Sequence, residues 1–401
     1  MSGREFSGFD VDTVTDAVRQ PPLDELRTTA RSRRHRSVAL VATALVAVAG
    51  LTVVPLVAGP DRADPPAPAE LSPTYSGDFT LTGPESGVDV RRDGCDLRFS
   101  FTGDRGRSWS DWDAARFQGT RCAASSTGTV DSRIEFSVLS DRSYLVSDTG
   151  FLRLSTDYGR TWRDGETAIV AVPRFPTAAR PVFCGFGCGA LSEPLAVDPS
   201  SGTVYRLTAS GPSWRPLFAL YPAADGAIWA AYQMGRASGA TVARSVDRGA
   251  TWTSWEAGGD ASVVAVVGLD DREGYVLTES PTTGGSMRLL RTTDGARTWT
   301  DTGAKLPPQA HWDLTLGSDG SIFAITSGEG TGSDNLARLL VSRDDGRHFT
   351  VAREYGPLVG SVSVAPGYAW LFGSDDGSTG EPDHFLLTTD ATTWTRFTLA
   401  P

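Results

Sequence analysis

Two hydrophobic patterns divide the chain. From Ser37 to Ala58 the sequence SVALVATALVAVAGLTVVPLVA carries no charged residue. About 20 such residues at 1.5 Å each cross the ~30 Å hydrocarbon layer of a bilayer, so this run predicts one membrane-spanning helix. From Phe79 onward the apolar positions come instead in short runs bounded by Gly, Asp and Ser. Ile134-Glu-Phe-Ser-Val-Leu139, Tyr144-Leu-Val146, Phe151-Leu-Arg-Leu154 and the stretch from Trp162 are examples. Runs of this length with such borders predict β-strands, four to a unit. Residues 1–36 predict a short helix around Asp10 to Arg19, then Pro21-Pro22 and a basic stretch. Gly59 to Pro73, rich in Pro, Ala and Asp, predicts a stiff extended stalk.

Charge orients the apolar run. Arg27, Arg31, Arg33, Arg34 and Arg36 precede it with no acidic residue among them, and such a cluster stays cytoplasmic. The expected organisation is a cytoplasmic basic tail over 1–36, a transmembrane helix over 37–58, a Pro-rich stalk over 59–75 and an extracytoplasmic domain over 76–401. A cleaved signal peptide is the competing reading; it places the large domain on the same side, but the leader is long for one. Cys95, Cys122, Cys184 and Cys188 all fall on the exported side, where disulfides persist. Four cysteines allow three connectivities, and the shortest loops pair Cys95 with Cys122 and Cys184 with Cys188. The rival for Cys184-x-x-x-Cys188, a metal site, has no histidine or second cysteine pair nearby.

Composition narrows the class. The chain has 401 residues, 40% of them hydrophobic and 21% charged, enough for a large core. With 44 Gly and 24 Pro and no strict third-position glycine, it reads as turn-rich and β-rich. A formal charge of -11 repels a phosphate backbone and argues against nucleic acid as a partner.

A motif then recurs at a nearly fixed interval. Its clear copies are Ser155-Thr-Asp157-Tyr-Gly159-Arg-Thr161-Trp162 and Ser245-Val-Asp247-Arg-Gly249-Ala-Thr251-Trp252. Thr102-Gly-Asp104-Arg-Gly106-Arg-Ser108-Trp109 and Ser342-Arg-Asp344-Asp-Gly346-Arg-His348-Phe349 are close variants. In Thr292-Thr-Asp294-Gly295-Ala-Arg-Thr298-Trp299 the glycine comes one place early. Thr388-Thr-Asp390-Ala-Thr-Thr-Trp394 is one residue short, and Thr208-Ala-Ser-Gly211-Pro-Ser-Trp214 lacks the aspartate. A second marker keeps step, since Gly226, Gly274, Gly320 and Gly367 each open an alternating run. One period of roughly 40–50 residues implies one supersecondary unit per repeat. Four-stranded units repeated around an axis leave only short sheet edges, so the expected fold is an all-β, seven-bladed propeller. Six blades is the alternative, because the unit ending at Trp214 is the weakest.

These motifs resemble those of the Asp-box, or bacterial neuraminidase repeat, family, whose pattern is Ser/Thr-x-Asp-x-Gly-x-Thr-Trp/Phe. The resemblance covers most of residues 79–401 and places the motif in the hairpin between the third and fourth strands of a blade. The residue types have physical reasons of their own: Asp accepts backbone N–H groups in a turn, Gly supplies φ > 0, and the aromatic packs into the blade. The structural set is Asp104, Trp109, Asp157, Trp162, Asp247, Trp252, Asp294, Trp299, Asp344, Phe349, Asp390 and Trp394.

The repeat names no activity. Resemblance to sialidases implies a Phe-Arg-Ile-Pro-like segment before the first motif, which is absent; Pro173-Arg174-Phe175-Pro176 is permuted and lies after the second motif. Two carboxylates about 5–10 Å apart are needed for glycoside hydrolysis, and Glu135, Glu193, Glu256, Glu279 and Glu354 are candidates. Gly185-Phe-Gly187-Cys-Gly189 only superficially matches a dinucleotide loop and reads as a disulfide-closed turn. The loop from Asp375 and Asp376 through Glu381 to Asp383 and His384 could hold Ca²⁺, without EF-hand spacing. His311 and His348 are scattered. The expectation is a monomeric, cofactor-free, membrane-tethered module binding an envelope protein or glycan. The alternative is a membrane-anchored, sialidase-like glycoside hydrolase.

Overall fold

A computed structural model describes residues 78–401 apart from 94, 120–133, 149, 186–187, 235–238, 259–260, 281–285, 307–310, 328–335, 358–363 and 374–381. Every described residue belongs to one compact unit of the chain. The basic tail, Ser37–Ala58 and the stalk lie outside the described residues. Among the described residues no helix is long and apolar enough to cross a membrane.

The short apolar runs pair with their sequence neighbours, because a tight turn brings adjacent strands together at the smallest loss of chain entropy. Among the described residues they form seven four-stranded sheets, six of them in consecutive chain order. The second sheet, for example, is Ile134–Ser140, Ser143–Asp148, Phe151–Ser155 and Arg163–Asp164. Central strands are covered on both faces. Ile228–Gln233 is buried at all six positions, which is why such strands read as unbroken apolar runs rather than as an alternation.

Cores lie between sheets. Val88, Val90 and Phe99 of the first sheet share one with Ile134, Val138 and Val146 of the second. Phe323, Ile325 and Leu339 of the sixth share another with Ala369 and Leu371 of the seventh. The last sheet returns to the first: Phe79 and Leu81 pack with Trp370, Phe385 and Phe397, with the Phe79 and Phe397 rings 5.4 Å apart. Each fully buried side chain of this kind contributes roughly 1.5–3 kcal/mol. From the third sheet to the seventh, the first strands of successive sheets touch one another. Sheets in sequence, each packed on the next and the last on the first, make a closed ring.

The repeated motif closes the hairpin between third and fourth strands. The Ser155 hydroxyl donates to Asp157 Oδ1 (2.9 Å) and accepts the Gly159 N–H (2.9 Å). Asp157 in turn accepts the Thr161 N–H (3.0 Å) and the Thr161 hydroxyl (2.7 Å). Asp104, Asp247 and Asp294 repeat these contacts, and at Asp344 the ring of His348 takes the place of the hydroxyl. Two consecutive residues are left-handed, as at Tyr158 (φ 64°) and Gly159 (φ 76°). This explains the early glycine of the fifth sheet: Gly295 (φ 74°) and Ala296 (φ 69°) keep the same backbone with the glycine in the first place. The shortened copy retains a single left-handed residue, Ala391 (φ 60°).

Two of the closing aromatics, Trp162 and Trp299, pack against the preceding sheet. Trp162 lies 5.1 Å from the Phe117 ring and donates its indole N–H to the Arg116 carbonyl (2.9 Å), both in the first sheet. Trp299 meets Trp229 and Trp255 of the fourth. The motif thus shapes a hairpin and fastens one sheet to the next.

The third sheet departs from the meander. Its order runs Arg180–Pro181, Leu195–Val197, Val204–Leu207 and then Val170–Val172, and the last pair is parallel. Ser143 donates to the Gly202 carbonyl (3.1 Å) and Arg142 to the Ser200 carbonyl (3.1 Å), so the turn before Val204 sits with the motif hairpins. At the other end of the strand, the Ser213 hydroxyl meets that of Thr241 (3.2 Å), where a third strand of the fourth sheet begins. The Thr208–Trp214 stretch therefore lies at the opposite end of the ring from the motifs. It is not a seventh hairpin of that kind, and Trp214 is 78% exposed. Without the aspartate there is no local return of the chain, and a strand from upstream fills the outer edge instead.

Candidate functional site

The reversed third sheet has a consequence for the channel along the axis. Its innermost strand runs against those of the other sheets, so the chain beyond Pro181 travels up the channel. The Cys184 N–H donates to the Leu220 carbonyl (3.0 Å), and the Cys184 carbonyl accepts the Leu220 N–H (2.8 Å), on the innermost strand of the fourth sheet. Cys184 and Cys188 are disulfide-bonded, with Cα atoms 5.2 Å apart. On the other side Ser137 of the second sheet donates to the Cys188 carbonyl (2.9 Å) and accepts the Ala190 N–H (3.1 Å). Phe183 packs on the Tyr221 ring (6.0 Å) and against cores reaching the fifth, sixth and seventh sheets. Phe183 and the disulfide-bonded Cys184 thus plug the channel.

Below the plug, at the end that carries the motif hairpins, is a cavity of about 500 Å³. The first, second, third, fourth and seventh sheets all line it, through residues such as Leu81, Leu139, Val182, Pro222 and Tyr368, with Phe183 as its roof. The wall is mostly apolar because these are the inward ends of core strands. Among its described lining residues Arg180 alone is charged. A concave apolar site of 300–1,000 Å³ with few polar groups is the usual form of a small-ligand pocket.

The sequence candidates are dispersed. Glu135 is exposed on the innermost strand of the second sheet. Glu193 precedes Leu195 in the third and pairs with Arg206 (3.5 Å); burial raises its pKa. Glu256, on the outer strand of the fourth, holds Arg215 (2.9 Å) and Thr241 (2.7 Å). Glu279 lies in the fifth, and Glu354, on the outer strand of the sixth, holds Arg338 (2.8 Å). Each thus belongs to a different sheet. Arg174 is exposed outside the channel. Cys95 is disulfide-bonded, while Cys122 lies outside the described residues, as do Asp375, Asp376 and Glu381. Among the described residues no group of three or more His, Cys, Asp or Glu is placed to hold a metal ion.

Sequence reasoning placed Asp383 and His384 in a candidate Ca²⁺ loop without their link to Tyr355, and it missed Asp89. His384, 1% exposed, bonds Asp383 through Nδ1 and the Tyr355 hydroxyl through Nε2. This chain of three joins the sixth and seventh sheets, and only Asp383 and His384 are neighbours in sequence. Asp89 is 1% exposed, and neither carboxylate oxygen meets a hydrogen-bond donor among the described residues. Desolvation pushes its pKa from 3.8 to about 7, with Asp78 adding to the shift. Arg91 and the nearby backbone of Val90 and Ala400 oppose it only in part. An Asp between apolar neighbours, as in Val88-Asp89-Val90, is the one local signal of such burial.

A ring of four-stranded sheets around a channel, each sheet packed on the next, defines a β-propeller. No protein-family model and no curated protein matches the chain. Among solved structures it is similar to a puromycin-hydrolysing peptidase of Mycobacterium tuberculosis, at 14% identity and TM-score 0.40, covering 78% of this chain and 52% of that one. It is also similar to YCF48 bound to D1 peptide (14%, TM-score 0.38, 80% and 92%) and to a GH74 enzyme of Niastella koreensis (12%, TM-score 0.38, 80% and 65%). The chain spans about half the length of the peptidase.

Proposed function

We propose that the chain is a membrane-tethered, extracytoplasmic Asp-box propeller of seven blades, held by Ser37–Ala58 and the Pro-rich stalk, that binds an envelope protein or glycan without transforming it. The observation that carries this reading is where the carboxylates are engaged. The motif aspartates accept hydrogen bonds from their own hairpins, and Glu193, Glu256 and Glu354 are each held by an arginine in a separate sheet. Glycoside hydrolysis of the general kind needs two carboxylates converging on one bond. Seven sheets, the last packed on the first, support the blade count. Cys95 pairs with Cys122 in this reading.

The test uses the full chain in its membrane. A panel of aryl glycosides including a sialoside is expected to give no turnover above membranes lacking the protein, while isolated envelope polysaccharide or protein is retained saturably. Turnover would replace the binding reading with the glycosidase. Protease added outside intact cells should degrade the propeller and spare residues 1–36; protection of the propeller would refute the topology.

A further inference from the structure

We propose that the cavity beneath the plug is a binding site for an amphiphilic acid, a small apolar molecule ending in one carboxylate, whose charge rests on Arg180. The site goes beyond the tethered-module reading and holds whether the propeller binds or hydrolyses its partner.

Three observations converge. The cavity, about 500 Å³, is walled mainly by aliphatic and aromatic side chains, so its occupant has an apolar body. Among 21 lining residues Arg180 alone is charged, in a chain whose formal charge is -11. The positive sign is therefore local to the cavity. Arg180 makes no ion pair or side-chain hydrogen bond among the described residues, whereas Arg206 in the same sheet is engaged by Glu166 (2.9 Å) and Glu193 (3.5 Å). An open guanidinium fork matches a carboxylate in geometry and in charge.

The plug sets the shape of the ligand. Phe183 and Cys184 close the channel above, so the cavity is a dead end that accepts the end of a molecule and stops a threaded chain. One cation also favours one negative charge; a phosphate dianion would need a second.

The experiment uses the full-length protein in lipid nanodiscs, with empty nanodiscs as the partition background, and follows binding by titration calorimetry. Decanoate should bind at one saturable site per chain, with decanol and decylamine roughly ten- to a hundredfold weaker, the factor expected for loss of one charge-assisted contact. Arg180→Gln, an exposed position, should weaken decanoate by a similar factor, leave decanol unchanged and keep the melting temperature. Arg180→Lys should restore part of the affinity. Equal binding of decanoate and decanol, undiminished binding to Arg180→Gln, or no saturable binding would overturn the site. An apolar tripeptide with a free C-terminus that bound more tightly than decanoate would overturn the assignment to a small acid. Glycoside turnover reads on the proposed function separately and leaves this result unaffected.

Discussion

Replacing Asp89 with Asn should stabilise the protein at alkaline pH and leave it nearly unchanged at acidic pH. Asp89 sits on Gly87–Asp93 beside the backbone of Ala400, where the first and seventh sheets close the ring. Its carboxyl titrates at about 7 in the fold against 3.8 in a free chain. Between those values the folded protein holds a proton that the unfolded chain has released, so stability falls as pH rises through this window. Above it the full cost applies. The gap of about 3 pH units, at roughly 1.4 kcal/mol each, sets an upper figure of about 4 kcal/mol at pH 8. The amide of Asn keeps the shape, carries no charge and is buried at about the cost of the neutral carboxyl, so only the charge penalty is relieved. A gain of up to about 4 kcal/mol at pH 8 is therefore expected. Urea midpoints from tryptophan fluorescence at pH 4.5, 6 and 8 measure it. The wild type should weaken across this series while Asp89→Asn stays level. Parallel curves, or a variant weaker at pH 8, would refute the buried-charge argument.

On the acid side, hydrogen bonds from Ser108, Thr298 and His348 hold the carboxyls of Asp104, Asp294 and Asp344 below their usual range. Their stabilisation is complete above about pH 4 and fades as pH falls through the folded values, so stability should drop steeply in that range; acid titration followed by circular dichroism reads it. Gly249→Ala should cost about 2–4 kcal/mol, because φ is +87° and the new Cβ would lie 2.7 Å from Leu207 Cδ1. Ala296→Gly, at a site already holding φ 69°, should stay within about 1 kcal/mol by the same urea assay. Trp162→Ala should cost about 3–5 kcal/mol by opening the seam with Phe99 and Phe117, whereas Trp214→Ala, exposed, should shift the midpoint by less than about 0.5 kcal/mol.

The local features were legible along the chain because they are made by residues within eight positions of one another. Asp157, Gly159 and Thr161 close a turn through bonds that need no distant partner, and the period at which such turns recur implies sheets repeated around an axis. The direction of an aromatic is not local. Whether Trp162 covers its own sheet or its neighbour's depends on Phe117, 45 residues away.

The chain's order of residues determined the repeat, the strand-rich class, the apolar run at Ser37–Ala58 and the pairing of Cys184 with Cys188. Only the folded ring decided that the third sheet runs backwards, that the disulfide-bonded Cys184 therefore enters the channel, and that Arg180 stands alone in the space beneath it. The same holds for Asp89, whose neighbours come from both ends of the domain. Turns and hydrophobic periods are short-range and leave a signature in spacing. Channels, seams and buried charges arise where strands far apart in sequence meet, and no spacing records that.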